Sequence, residues 1–425
     1  GRALNEHRVI DRDAVFRLKI EALEKIWQAT SAGDEFEQFC SQRGNALEQF
    51  AAYCVLAEKF GGDWRTWPAE LRDANSPAVA RFVEENRDRC RFHLWLQWLL
   101  DCQLADAARD VALVQDLAIG VDPGGADAWA WRDLYALGCS VGAPPDLYNR
   151  NGQDWGLPPF IPHKLRSAGY EPFIQTIRAA LRHAGGLRID HVMGLFRLYW
   201  IPQGFGAARG AYVRYRADEL LAIVAVESER AGAFVVGEDL GTVEEGVRET
   251  LAEHQVLSYR LFWFEDEPPS AYPEMSMAAI TTHDLPTVAG LWSGHDLAAQ
   301  RSLALNPNEK AMHDLRDKLA SLGHLDARAR MDHVIEQAYV LLSDAASYVA
   351  TVSLDDALAV TERPNMPCTT NEWPNWSLAL PGGLEALESA SLPKRTAAAM
   401  KKRNRKRGTR AARKTTGRVQ GSGFR

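Results

Sequence analysis

Two hydrophobic periods follow one another along this chain. From residue 14 to about 110 the apolar positions recur at helical intervals: Val15, Leu18, Ile20, Leu23, Ile26 and Trp27, then Phe36, Phe39 and Cys40, then Leu47, Phe50 and Tyr53. The stretch 64–71, with Trp64 and Pro68, turns the chain, and a second helical pattern runs from Val79 to about Ala107. Its aromatics, Phe92, Trp95 and Trp98, are expected to pack in a core rather than to touch a ligand. Beyond Val111 the period changes. Short apolar runs end in an acid and are followed by a loop and a helical pattern. One closes on Asp116, one (185–190) on Asp190, one (233–238) on Glu238, and one (278–284) on His283 and Asp284. With 258–264 and 349–354 these make six predicted strands, and helices are expected over 171–184 and about 218–230.

Acids at the ends of successive strands are how a (β/α)8 barrel builds an active site, because its catalytic groups sit at the carboxyl ends of separate strands on one face. In an extended strand Arg188 and Asp190 share a face. A guanidinium beside a carboxylate keeps it ionised and fixes its orientation, which a carboxylate nucleophile requires. A structural ion pair at a strand end accounts for the same residues. Gly237 before Glu238 and Gly241 after it allow close backbone approach.

The stretches RIDHVMGLFRLYWIPQG, VVGEDLGTV and TTHDLPT resemble the motifs of the 4-α-glucanotransferases called amylomaltases, or disproportionating enzymes, of the α-amylase clan. The resemblance extends through DLAIGVDPGGADAWA, SVGAPPDLYNRNGQDWGLPP and the late PNMPC and NEWPNW segments, from about residue 10 to 390. It implies an α/β protein, a TIM-type (β/α)8 barrel with helical insertions. Residues 1–110 would form a helical subdomain inserted before the third barrel strand, and 111–390 the third to eighth strands with their catalytic loops. No counterpart of the first two strands, nor of the family's early Ser-Pro-Tyr-Ser segment, is found, so a chain truncated at its N-terminus is expected. Cys368 stands where the family favours glycine, and Ser377 where it favours arginine.

Matched residue by residue, the resemblance implies Asp190 as nucleophile and Glu238 as general acid and base. Asp284 with His283 would bind donor-sugar hydroxyls, and Asp116 would orient rather than react. The loop of some sixty residues after Asp116 is long for a compact enzyme. It carries Trp129, Trp131, Tyr135, Asp146, Tyr148, Gln153 and Trp155. Flat aromatic faces beside amide and carboxylate groups suit a glucan. Trp129, Asp146, Tyr148, Gln153 and Trp155 are therefore expected substrate contacts, a purely structural lid being the alternative. The activity implied is transfer of α-1,4-glucan segments between maltodextrins by a retaining double displacement. An α-glucan hydrolase on the same barrel and an inactive glucan-binding remnant are the rival readings.

Composition narrows the rest. Of 425 residues 46% are hydrophobic and 25% charged, and no run of about 18 apolar residues predicts a membrane span. The N-terminus is charged and has no apolar signal core. Six cysteines without a C-x-x-C pair read as free thiols in a reducing cytoplasm. The net charge of -7 hides an asymmetry, since 13 Lys or Arg and no acid lie from Ser391 onward. The remaining 36 basic against 56 acidic residues leave the body near -20, a poor surface for nucleic acid. The basic stretch 391–425 is expected to be a disordered tail capable of non-specific anion binding, and a shifted reading frame would produce the same run. Neither H-x-x-x-H, H-E-x-x-H, G-x-G-x-x-G nor G-x-S-x-G occurs at the candidate stretches, so no metal, cofactor or serine triad is expected.

Overall fold

The computed structural model describes residues 1–30, 33–145, 151–241 and 243–401. The chain folds as two compact units, Leu23–Val256 and, separately, Gly1–Ala22 together with the chain from Leu257 onward.

In the Leu23–Val256 unit, helices Asp34–Phe60, Pro77–Glu85 and Arg87–Asp110 come first, as the apolar spacing predicts. Phe36, Phe92 and Trp95 are buried together, with Trp27, Trp98 and Leu99 against them. Trp64 opens a short 3-10 turn capped by Asp63, whose carboxylate accepts from the Arg65 amide. Three strands then follow at intervals: β1 (Leu113–Leu117), β4 (Ala184–Ile189) and β7 (Phe234–Gly237). They form one parallel sheet in the order β1-β4-β7. Leu187, Ile189 and Val235 pack under helices Glu171–Leu181, Ala217–Ala231 and Val247–Glu253 through Ile177, Leu181, Leu221, Val224 and Leu251. Helix Glu171–Leu181 lies between β1 and β4 and helix Ala217–Ala231 between β4 and β7, each returning the chain so that these strands run parallel, the unit from which such barrels are made.

The long loop is more ordered than its composition suggests. It contributes β2 (Cys139–Ala143) and β3 (Gln153–Leu157), which join β5 (Arg197–Pro202) and β6 (Ala211–Arg214) in an antiparallel sheet of order β3-β2-β5-β6. These strands are short, and β2 and β3 contain glycine, so no two-residue alternation announces them.

In the other unit β8 (Ser258–Leu261), β9 (Ser276–Ala279) and β10 (Val349–Ala350) form a second parallel sheet, order β10-β9-β8. All six strands expected to end the acidic runs or follow them are thus present. β9 is buried at every position, as a central parallel strand must be. Helices Val288–Ser293, Glu309–Leu322 and Met331–Leu342 cover this sheet through Leu291, Leu319, Val334 and Leu342. The start of the basic stretch, 391–401, is helical and packed, with Thr396 and Ala399 buried and Arg395 paired to Asp332. This corrects the expectation of disorder for that portion, because apolar Leu392 and Met400 anchor it on the core. Residues 402–425 lie outside the described residues.

All six cysteines are free thiols. No helix among the described residues is long and apolar enough to cross a membrane, and no cluster of His, Cys, Asp and Glu among them could hold a metal ion.

Candidate active site

Register fixes the first cluster of acids. Asp116 of β1 is opposite Arg188 of β4, and Ile189 is opposite Gly237 of β7. The ladder continues past the strand ends. The Asp190 amide donates to Leu117 O (3.0 Å), the Glu238 amide to Ile189 O (2.9 Å), and the Val192 amide to Glu238 O (3.0 Å). Asp116, Asp190 and Glu238 therefore stand at the carboxyl ends of three adjacent parallel strands. Arg188 lies between the first two, with Nη1 2.5 Å from Asp116 Oδ1 and Nη2 3.0 Å from Asp190 Oδ1. The strand-face argument holds for Arg188 and Asp190, and Asp116 joins the same guanidinium from across the sheet.

Glu238 is held differently. The His191 amide donates to its Oε2 (3.0 Å) and the Leu240 amide to its Oε1 (2.8 Å). His191 reaches this position with φ +47, in the left-handed region that a non-glycine residue enters at a cost. Burial pushes the Glu238 carboxyl above the usual range. The Leu240 amide pulls it down, the charge of Asp190 pushes it up, and Arg188 and the His191 amide pull it down. The net direction is upward, so the neutral acid persists to higher pH than for an exposed glutamate. A Cβ at Gly237 would lie 3.0 Å from both Val192 methyls, so the close approach anticipated for that glycine is real.

Among the loop residues, Trp155 of β3 comes to this cluster, with Gln153 of the same strand against it. The Trp155 ring meets His191 edge-on at 5.4 Å between centroids, and its Nε1 donates to Gln153 Oε1 (3.0 Å). Trp129 does not come. It is only 1% exposed, packs on Trp67 and Tyr53, and donates Nε1 to Leu71 O (3.0 Å). The sugar contact expected of it is corrected: its ring has no face left for a ligand. Asp146 and Tyr148 lie outside the described residues.

The second cluster belongs to the other unit. Asp284, beyond β9, accepts at Oδ1 from Asn365 Nδ2 (2.6 Å), and its Oδ2 lies 3.3 Å from His283 Nε2. Burial raises its carboxyl, but the contacts with His283 and Asn365 and the nearby charges outweigh this, so the net shift is downward. Arg363 donates Nη1 to Asp284 O (2.7 Å) and is itself held by buried Asp296 in a two-pronged contact of 2.6 and 2.5 Å. The His283 ring lies 4.8 Å from Trp376. Arg363 and Asn365 were missed as site residues, although Arg363 directly precedes the late PNMPC motif and Asn365 is its second residue. Their signal was a cation beside, and an amide within, a segment that resembles the family.

Residues 1–384 match the 4-alpha-glucanotransferase family. A curated 4-alpha-glucanotransferase of Mycobacterium tuberculosis is 42% identical over 404 residues, covering 88% of this chain and 56% of that protein. One from Haemophilus influenzae is 34% identical over 422 residues, covering 88% and 60%. The chain thus spans under two thirds of the length of these relatives. The crystal structure of amylomaltase from Corynebacterium glutamicum superposes with a TM-score of 0.80 at 32% identity, covering 92% of this chain and 60% of that one. Amylomaltase from Streptococcus agalactiae in complex with acarbose superposes at 0.73 with 20% identity, covering 93% and 79%. The α/β class expected from the sequence, with a TIM-type barrel fold, is that of these neighbours. By its matched length and its identity to these relatives, the chain belongs to the 4-alpha-glucanotransferase family.

Proposed function

We propose that this chain carries the reacting carboxyls of a retaining 4-alpha-glucanotransferase acting on maltodextrins and other α-1,4-glucans. One observation carries the reading: two carboxyls end neighbouring strands in opposite electrostatic settings, Asp190 against a guanidinium and Glu238 desolvated on two amides. A carboxylate held by a cation beside a desolvated carboxyl divides the roles of nucleophile and proton donor.

In the first step an Asp190 oxygen attacks the anomeric carbon, the glycosidic C–O bond breaks, and Glu238 gives its proton to the leaving 4-oxygen. In the second, the 4-hydroxyl of an acceptor glucan attacks the same carbon, Glu238 takes its proton, and Asp190 leaves as carboxylate. Arg188 orients Asp190 through the ion pair, and Asp116 holds Arg188 from the far side. Asp284 and His283 are assigned to donor-sugar hydroxyls, with Asn365 and Arg363 fixing Asp284. Trp155 and Gln153 are assigned to a glucan ring and its hydroxyls, and an acceptor stacked there would help exclude water. No cofactor or metal takes part. Six free thiols fit a reducing cytoplasm.

Incubation with maltotriose tests the reading. Transfer produces glucose together with chains longer than the substrate, whereas hydrolysis produces shorter products only. Asp190→Asn should abolish transfer and leave maltodextrin binding nearly intact. Parental turnover in that variant would remove Asp190 as nucleophile.

A further inference from the structure

The Leu23–Val256 unit has a second cleft, of about 530 Å³, away from the strand-end acids. Its walls are helix Asp34–Phe60, the later part of helix Arg87–Asp110, and helix Glu171–Leu181 with the two residues after it. At one end two guanidiniums share one carboxylate. Arg43 Nη2 lies 3.0 Å from Asp101 Oδ1, and Arg182 Nε lies 2.8 Å from the same oxygen. One positive charge is left over. His183 Nε2 lies 3.1 Å from the same Asp101 oxygen, so a third donor converges on it. Arg178, also on the wall, is neutralised by Glu227 at 2.8 Å. The wall's other acid, Glu171, is eleven residues before Arg182, roughly 16 Å along the helix, so the cleft is basic at one end only.

Its remaining surface is suited to a polyol. The side-chain amides of Gln42, Gln97 and Gln115 line it and make no hydrogen bond among the described residues. Phe50 and Leu100 present apolar faces that are 36% and 49% exposed. The first helix is kinked along this wall at Gly44 (φ 55, ψ -147), a conformation essentially confined to glycine. A Cβ there would touch nothing within 4 Å, so the glycine serves the bend and not a close contact.

We propose that this cleft is a second binding site, for a phosphorylated sugar. The phosphate is taken by Arg43, Arg182 and His183, whose fork and ring donors match phosphate oxygens. Sugar hydroxyls meet the glutamine amides, and the apolar ring face rests on Phe50 and Leu100. The assignment stands apart from the glycosyl-transfer reading, and its test measures binding alone.

Calorimetric titration of the full chain with glucose 6-phosphate, glucose and inorganic phosphate provides that test. Saturable binding of glucose 6-phosphate is expected, with inorganic phosphate weaker by on the order of tenfold and glucose silent. Arg43→Gln and Arg182→Gln should each weaken binding by on the order of tenfold. Asp101→Asn, which removes the internal anion that competes for the same donors, should tighten it. Thermal melts establish that each variant is folded, and where a glutamine variant is not, the lysine variant at the same position replaces it and should also bind more weakly. Absence of saturable glucose 6-phosphate binding overturns the proposal. So do equal affinity for inorganic phosphate, unchanged affinity in both arginine variants, and weaker binding by Asp101→Asn.

Discussion

At the residue scale, the division of labour proposed for Asp190 and Glu238 has a titration signature. The Asp190 charge is one of the influences that raise Glu238, after burial. Asp190→Asn removes that charge, so the Glu238 carboxyl should titrate at lower pH in the variant, read by carbon-13 NMR of the labelled carboxyl. An unmoved titration would separate the two groups electrostatically. In the parent, transfer should decline as pH rises through the elevated Glu238 value, because the leaving oxygen then loses its proton donor. Residue identity and strand position made these acids legible in the sequence. The setting of Glu238 was not legible, because it depends on the left-handed backbone at His191, and histidine has no sequence mark for that conformation. Cys368 shows the opposite case. The glycine that the resemblance implies there has a physical reason, since Cys368 has φ +68.

At the element scale, the register of β1, β4 and β7 sets the site. Gly237 lets β7 end directly against the turn after β4, and Val192, on the other side of that contact, is wholly buried. Gly237→Ala should destabilise the fold by about 1–3 kcal/mol, since Val192 has no free space to enter. It should also reduce transfer by shifting the His191 amide away from Glu238. Denaturant melts and the maltotriose assay measure the two effects. Parallel strands were readable because each is a short apolar run ending in an acid. The antiparallel sheet was not readable. Its strands are formed by pairing across distant chain, Val141 with Trp200 for example, and their side chains alternate too little to show it. Trp129 was misread for a related reason: aromatic side chains in a long loop look alike whether they face solvent or, as here, plug a helical core.

At the scale of the whole molecule, one buried acid should leave a mark on stability. Asp356 is wholly buried, and burial pushes it up to about 6 against the hydrogen bonds from Tyr339 and the Val288 amide. The folded state keeps this proton to about pH 6, whereas the unfolded chain releases it at the ordinary, lower aspartate value. The stabilisation is thus fully present below the unfolded value and is lost as pH rises through about 6. Melting temperatures taken across that window should fall with rising pH, and Asp356→Asn should flatten the trend. Nothing local in the sequence marks Asp356 as an aspartate that accepts from the amide at a buried helix start. The charge asymmetry, by contrast, was plain from composition. Its structural meaning changed where Leu392 and Met400 dock residues 391–401.

The step from Asp190 through His191 to Val192 binds three jobs into consecutive peptide units: one carries a carboxyl, the next donates to the opposite one, and the third locks onto the carbonyl of Glu238. The backbone positions from which the two carboxyls project are thereby fixed by main-chain hydrogen bonds. Drift in loop length elsewhere can reshape which glucans are held. An insertion or deletion at this step would shift both carboxyls together.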